Sequence, residues 1–250
     1  VSSNKPKPKP GKYTPQASSS RSTYILGGLA ILVIAALVIG GVLWTSSRSK
    51  PRNEGYGGVS NTAVQVSVAD DGAVLLGLPD AKNTIDVFED PLCPYCAQLE
   101  NTNGQEVAQK VDEGTLAVRY HTLDFLNRLS ASGDYSTRAA GALMCVAKSG
   151  DAVAFSAFHG ALFTPANLPP ENGKSDHSNA DLAQIAKDAG ADDATVACIS
   201  DGTQVEAASA AAQKGSEALA ASGARGTPTV VHDGTLIDAL GDPDWVSQFN

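Results

Sequence analysis

The sequence predicts an α/β domain interrupted by an all-helical insertion and preceded by a single membrane-spanning helix. Three observations carry this reading. Residues 24–44, "YILGGLAILVIAALVIGGVLW", hold no charge over 21 positions. Strand-type patterning marks short segments near both ends of the remaining chain, in "AVQVSV" and "TPTVV". Between them, from about residue 134 to 222, alanine-rich stretches recur with helical periodicity, and strands flanking such a block define an α/β class.

Residues 1–23 carry "KPKPKPGK" and "ASSSRS" and have too little apolar content to fold, which predicts a disordered basic tail. As a helix, residues 24–44 would extend about 31 Å, close to the thickness of a bilayer's hydrocarbon core. Tyr24 and Trp44 stand at its ends, where amphipathic rings favour the headgroup zone. A cleavable signal peptide fits less well, because the apolar run is long and "TSSRSK" after it offers no small-x-small site. Five positive charges before the run against three just after predict a cytoplasmic tail and an extracytoplasmic body, anchored in lipid through residues 24–44. Residues 45–62, rich in Gly and Ser, read as a linker, and 63–250 as the folded domain.

The 52 N-terminal residues contain eight Lys and Arg and no acid, which leaves 10 basic against 27 acidic residues, a net −17, for the rest. So acidic a body repels nucleic acid, and no nucleic-acid partner is expected.

Within the domain, "AVQVSV" and "AVLLGL" flank an Asp71-Gly72 turn and predict a hairpin. "TIDVF", residues 84–88, is a strand; residues 97–111 are helical with a break expected at Gly104; "LAVRYHTL", residues 116–123, is a further strand. Helices are then expected in "STRAAGALMCVAK", "AVAFSAFHGALF", "ADLAQIAKDA", "ADDATVACIS" and "TQVEAASAAAQKGSEALAAS". "TPTVVHDGTLID" gives a second hairpin around Asp233-Gly234, and "DPDWVSQF" a short closing helix with Asp242 or Asp244 as its cap.

The chemistry concentrates in "DPLCPYCAQLE". Cys93 and Cys96 enclose Pro94 and Tyr95 where the strand gives way to the helix. Unpaired backbone N–H groups and the helix dipole favour a thiolate at that position, so Cys93 is the expected nucleophile. Cys96, one turn further in, would resolve the mixed disulfide. A lowered Cys93 pKa stabilises the reduced pair and makes its disulfide more oxidising. Structural zinc would need four ligands, and neither Cys145 and Cys198 nor His121, His159, His177 and His232 have ligand spacing, so no metal is expected. An inert staple is disfavoured too, since so short a loop removes little chain entropy. Cys145 and Cys198 fall on apolar helical faces; they are either buried free thiols or, in an oxidising compartment, a structural disulfide, the pairing favoured here.

With these motifs in place, "GLPDAKNTIDVFEDPLCPYC", "FSAFHGALF" and "GTPTV" resemble DsbA-like thiol:disulfide oxidoreductases of the thioredoxin superfamily, over about residues 63–249. The resemblance implies a thioredoxin-like fold with Thr227-Pro228 beside the cysteines, the proline in a cis peptide. It also implies an enzyme without cofactor that introduces disulfides into reduced or unfolded exported proteins. The anchor and second bridge resemble actinobacterial members, for which a membrane quinone reductase of the DsbB or vitamin K epoxide reductase type is the implied reoxidant. A reductase or isomerase of the same fold, or a redox-idle accessory subunit of a membrane complex, are the alternatives. Relatives often hold an acid six residues before the first cysteine, where this chain has Val87; strand alternation is expected to turn both Asp86 and Glu89 elsewhere. Asp90 is expected to cap or support the helix start, and His159 to pack between the two parts of the fold.

Overall fold

The structure, a computed structural model, describes residues 50–250. The tail over 1–23 and the membrane helix over 24–44 lie outside the described residues, and none of the described helices is long and apolar enough to cross a membrane.

Strands β1 (Gln65–Val68) and β2 (Val74–Gly77) form the first hairpin. Its turn works because Gly72 takes φ +88° and the Asp71 carboxylate accepts the Ala73 N–H at 3.1 Å. β3 (Asn83–Glu89), α1 (Pro94–Asp112) and β4 (Leu116–Thr122) then make a parallel βαβ unit. β5 (Thr229–His232) runs antiparallel to β3, and β6 (Thr235–Ile237) closes the far edge. Asp233 and Gly234 both have positive φ, as a two-residue hairpin turn requires. The six strands lie in the order β1-β2-β4-β3-β5-β6. β3 is therefore central, and its C-terminal end delivers the chain to Cys93.

Between β4 and β5 stand α2 (Tyr135–Ser149), α3 (Ala152–Leu162), α4 (Asn179–Asp188), α5 (Asp193–Ser200) and α6 (Val205–Ala221). Local chemistry sets their starts. Asp151 and Asp192 each accept an N–H of the first turn, and Ser178 and Asp181 form a reciprocal capping box. The helices share one hydrophobic core with the sheet: Ile85, Val118, Leu143, Phe158 and Leu182 are all fully buried within it. Cys145 on α2 and Cys198 on α5 are bonded to each other across a sequence separation of 53. Closing a loop of that length contributes about 4 kcal/mol in the chain-entropy model. A Cys145→Ser/Cys198→Ser variant is expected to unfold at a markedly lower urea concentration, by a few kcal/mol of extrapolated stability; an unshifted midpoint would show that the bridge bears no load.

Three expectations change. The helix after the motif is unbroken through Gly104, for a reason given below. The closing segment is a 3₁₀ turn over Trp245–Gln248 rather than an α-helix; Asp244 precedes it without a side-chain cap, and it is Asp242 whose carboxylate accepts the Asp244 N–H. Finally, the stretch read as a linker is fastened along α1 over its described part. Gln105 accepts the N–H groups of Gly55 and Gly57, while Asp112 accepts those of Ser60 and Asn61 and the Tyr56 hydroxyl. Composition conceals this strap because its donors are mostly backbone.

Candidate active site

Cys93 is the N-cap of α1, with Pro94 at the first helical position, where a missing N–H costs nothing. Cys96 follows one turn later. Both thiols are buried and unbonded, whereas Tyr95 between them is 60% exposed. The pairing of β3 with β5 sets Phe88 opposite Thr229, which carries the preceding Thr227-Pro228 segment to the motif. The Thr227–Pro228 peptide is cis, and the carbonyl oxygen of Thr227 lies 3.5 Å from Cys93 Sγ. Phe163 from the helical block and the half-buried Leu126 and Leu168 pack around the two cysteines.

The two sulfurs are electrostatically distinct. The Cys96 thiol, hydrogen-bonding to Cys93, holds the Cys93 pKa down to about 6 in spite of burial; the Thr227 side chain and the N–H groups of Cys96 and Tyr95 help. Burial pushes Cys96 well above the usual thiol range, reinforced by its bond to Cys93 and by the charges of Cys93 and Glu89. One member of the pair is thus a thiolate near neutral pH and the other a thiol.

Asp90 supports the turn from beneath. It is fully buried, and Oδ1 accepts from the Leu92 N–H at 2.9 Å and the Ser136 hydroxyl at 2.7 Å, while Oδ2 accepts from the Leu126 N–H at 3.0 Å. Burial raises its pKa to about 7 against those three hydrogen bonds. Asp90 therefore ties β3, the Leu126 loop and α2 together below the cysteines, more than a helix cap does. Asp90→Ala would leave two buried N–H groups and a hydroxyl unpaired, and is expected to lower stability by roughly 1–3 kcal/mol or more, measured by denaturant titration at pH 7. The sign of its own pH contribution follows from the raised pKa. The folded state holds this proton more tightly than the unfolded chain, so stability falls as pH rises from about 4 through 7, a slope the alanine variant should lack.

Sequence reasoning missed the charged cluster under Cys96. Glu89 does not point elsewhere: it lies two residues from Val87, on the same face of β3, and is 4% exposed. His159 of α3 meets it, Nε2 to Glu89 Oε1 at 2.8 Å, and turns Nδ1 toward Glu100 Oε2 at 3.8 Å. Its ring also packs on Tyr120 and Phe163. Burial alone would lower the His159 pKa, but the two carboxylates carry it up to about 9. The alternation of "DVFE" itself contained the signal. Asp86, one residue off that face, instead pairs with His121 at 2.7 Å.

The fold and the site together define a DsbA-like thiol:disulfide oxidoreductase of the thioredoxin superfamily. A thioredoxin family model matches residues 69–249, and the chain belongs to that family. The MdbA protein of Corynebacterium diphtheriae, a thiol-disulfide oxidoreductase, superposes with a TM-score of 0.66 at 26% identity, covering 80% of this chain and 100% of that one. DsbA of Mycobacterium tuberculosis superposes with a TM-score of 0.56 at 29% identity, over 74% of this chain and 96% of its own. In sequence, the chain is 39% identical over 186 residues to the serine/threonine-protein kinase PknE of M. tuberculosis. That match covers 74% of this chain and 32% of the kinase, so the chain spans about a third of that relative.

Proposed function

We propose that this chain is a membrane-anchored, extracytoplasmic donor of disulfide bonds to exported proteins. The observation that carries the reading is the opposed character of the two thiols at the start of α1, Cys93 lowered to about 6 and Cys96 raised. A thiolate stabilised by its surroundings favours the reduced pair, and that preference is what drives electrons from substrate to enzyme. In each cycle a substrate thiolate attacks Cys93 Sγ, the Cys93–Cys96 bond breaks, and Cys96 receives the electron pair. The substrate's second thiolate then attacks its own sulfur in the mixed disulfide, leaving as a disulfide and releasing Cys93 as a thiolate. Thr227 gives an extended substrate backbone something to pair with, and Pro228, lacking an N–H, lies against the sulfur without donating to it. Pro94 and Tyr95 separate the thiols, and the exposed Tyr95 faces the incoming chain.

Residues 24–44 hold the protein in lipid, residues 1–23 stay in the cytoplasm, and a membrane quinone reductase of the DsbB or vitamin K epoxide reductase type restores the disulfide. The test is an equilibrium with glutathione followed by transfer. A reduction potential near −120 mV suits a disulfide donor and one near −270 mV a reductant. The oxidised protein should also restore activity to a reduced, disulfide-requiring enzyme, losing one disulfide for each one made. A potential at the thioredoxin end would assign the chain to the reductase class instead.

A further inference from the structure

An open groove of about 500 Å³ runs between the strap and helices α1 and α3, a volume in the range that small organic ligands occupy. Five of its lining residues are glycines, among them Gly55, Gly57 and Gly58 of the strap, which leaves the walls bare for a chain to lie along. No aromatic or large aliphatic side chain lines it, so an apolar guest finds little to pack on. Glu100 is the one charged residue in its wall.

That carboxylate is under-partnered. Its side chain keeps 24% of its surface exposed, and no described residue donates a hydrogen bond to it. The nearest cation is His159, whose Nδ1 stands 3.8 Å from Glu100 Oε2, beyond hydrogen-bond reach. His159 is itself held by Glu89 at 2.8 Å, so two carboxylates share one imidazolium and one negative charge is left over on the side facing the groove. The fold nevertheless makes room for the acid. A Cβ at Gly104 would collide with Glu100 Oε1, and one at Gly160 would sit 3.4 Å from it. A glycine in mid-helix costs about 0.5–1 kcal/mol relative to alanine, and here it opens a niche for a charge that burial disfavours.

The neighbouring groups are acceptors as well. Asn101 donates its amide N–H groups to the carbonyls of Ala97 and Phe163, at 2.7 and 2.9 Å, which leaves Oδ1 to accept. Thr164 Oγ1 donates to the Ala161 carbonyl at 2.9 Å and keeps its lone pairs. A ligand for this wall therefore brings donors and positive charge. An anion is opposed by Glu100, and a divalent cation favours several carboxylates where the groove has one. An ammonium carries three N–H donors and a single charge.

We propose that this groove binds a primary ammonium on an unbranched aliphatic stem, with Glu100 as its counter-ion and Asn101 Oδ1 as a second acceptor. A lysine side chain of another polypeptide and a free aliphatic amine present the same head, and the experiment tells them apart. Glu100 and Gly104 also line the small cavity behind Cys96, so the ligand lies one side chain away from the inner sulfur. The site is separate from the exchange at Cys93 and does not depend on the direction of electron flow.

Putrescine, Nα-acetyl-lysinamide and butane-1,4-diol are titrated calorimetrically into the full chain at pH 8. The two amines are expected to bind one per protein; the diol, as long as putrescine but uncharged, is expected not to bind. Glu100→Gln should weaken both amines at least about tenfold, a loss of about 1.4 kcal/mol. Ala157→Phe, which fills the groove from α3 and leaves Glu100 in place, should weaken them as much. A lysine-containing hexapeptide is then compared with putrescine: whichever binds tighter identifies the source of the ammonium, and either result supports the site. No saturable binding of either amine up to about 10 mM, or wild-type affinity in Glu100→Gln or in Ala157→Phe, would overturn the proposal.

Discussion

A Cys93→Ser variant is expected to oxidise reduced proteins no faster than buffer, whereas Cys96→Ser should accumulate on its substrates as a covalent complex. The asymmetry follows from position. Cys93 caps α1 beside the Thr227 carbonyl, and in the proposed cycle it is the sulfur an incoming thiolate meets, so its loss should remove the exchange altogether. Cys96 is sealed beneath it and lined on its inner side by protein. Without Cys96, the Cys93 thiolate still attacks disulfides, but nothing within the protein releases the mixed product. Non-reducing gels of cells expressing each variant distinguish them: slow-migrating adducts, dissolved by dithiothreitol, with Cys96→Ser and none with Cys93→Ser. Adducts in both would move the nucleophile to another residue, and adducts in neither would leave the pair without a role in exchange.

The second large effect is in pH. Because the Cys93 pKa is lowered to about 6, its alkylation by iodoacetamide should rise about tenfold per unit below pH 6 and level off above. The reduction potential should follow. Below pH 6 reduction takes up two protons for two electrons, a slope of about 59 mV per unit; above it one proton is taken up, and the slope halves to about 30 mV. Cys96 titrates well above the usual thiol range and adds no break near neutrality. Cys96→Ala removes the first contributor to the lowering, the hydrogen bond from the Cys96 thiol, so the alkylation midpoint should move upward. A midpoint near 8.5 in the unmodified protein would remove the argument for an oxidising pair.

Much of this was legible from residues alone because it is local. Alternation in "AVQVSV" and "TIDVF", the Asp-Gly turns and the capping serine and aspartates are each decided within a few positions, and the strands and helices fall close to where those patterns place them. The two motif cysteines, and their neighbourhood to Thr227-Pro228, were accessible through motif and resemblance together. Less accessible was whatever depends on a partner far along the chain. Gly104 reads as a helix breaker, yet the Glu100 carboxylate fills the space a Cβ there would take. Glu89 stands two residues from Val87 and so shares its buried strand face, but its partner there, His159, lies 70 residues along the chain. The strap over residues 50–61 is invisible to composition, since glutamine and aspartate on α1 hold it largely by its backbone N–H groups.

The cystine that joins α2 to α5 gives the molecule a history. A newly made copy starts with four thiols, which allow three fully paired arrangements, and two electrons must leave Cys145 and Cys198 before its own helices are locked. Every new molecule therefore depends on thiol–disulfide chemistry for its own completion.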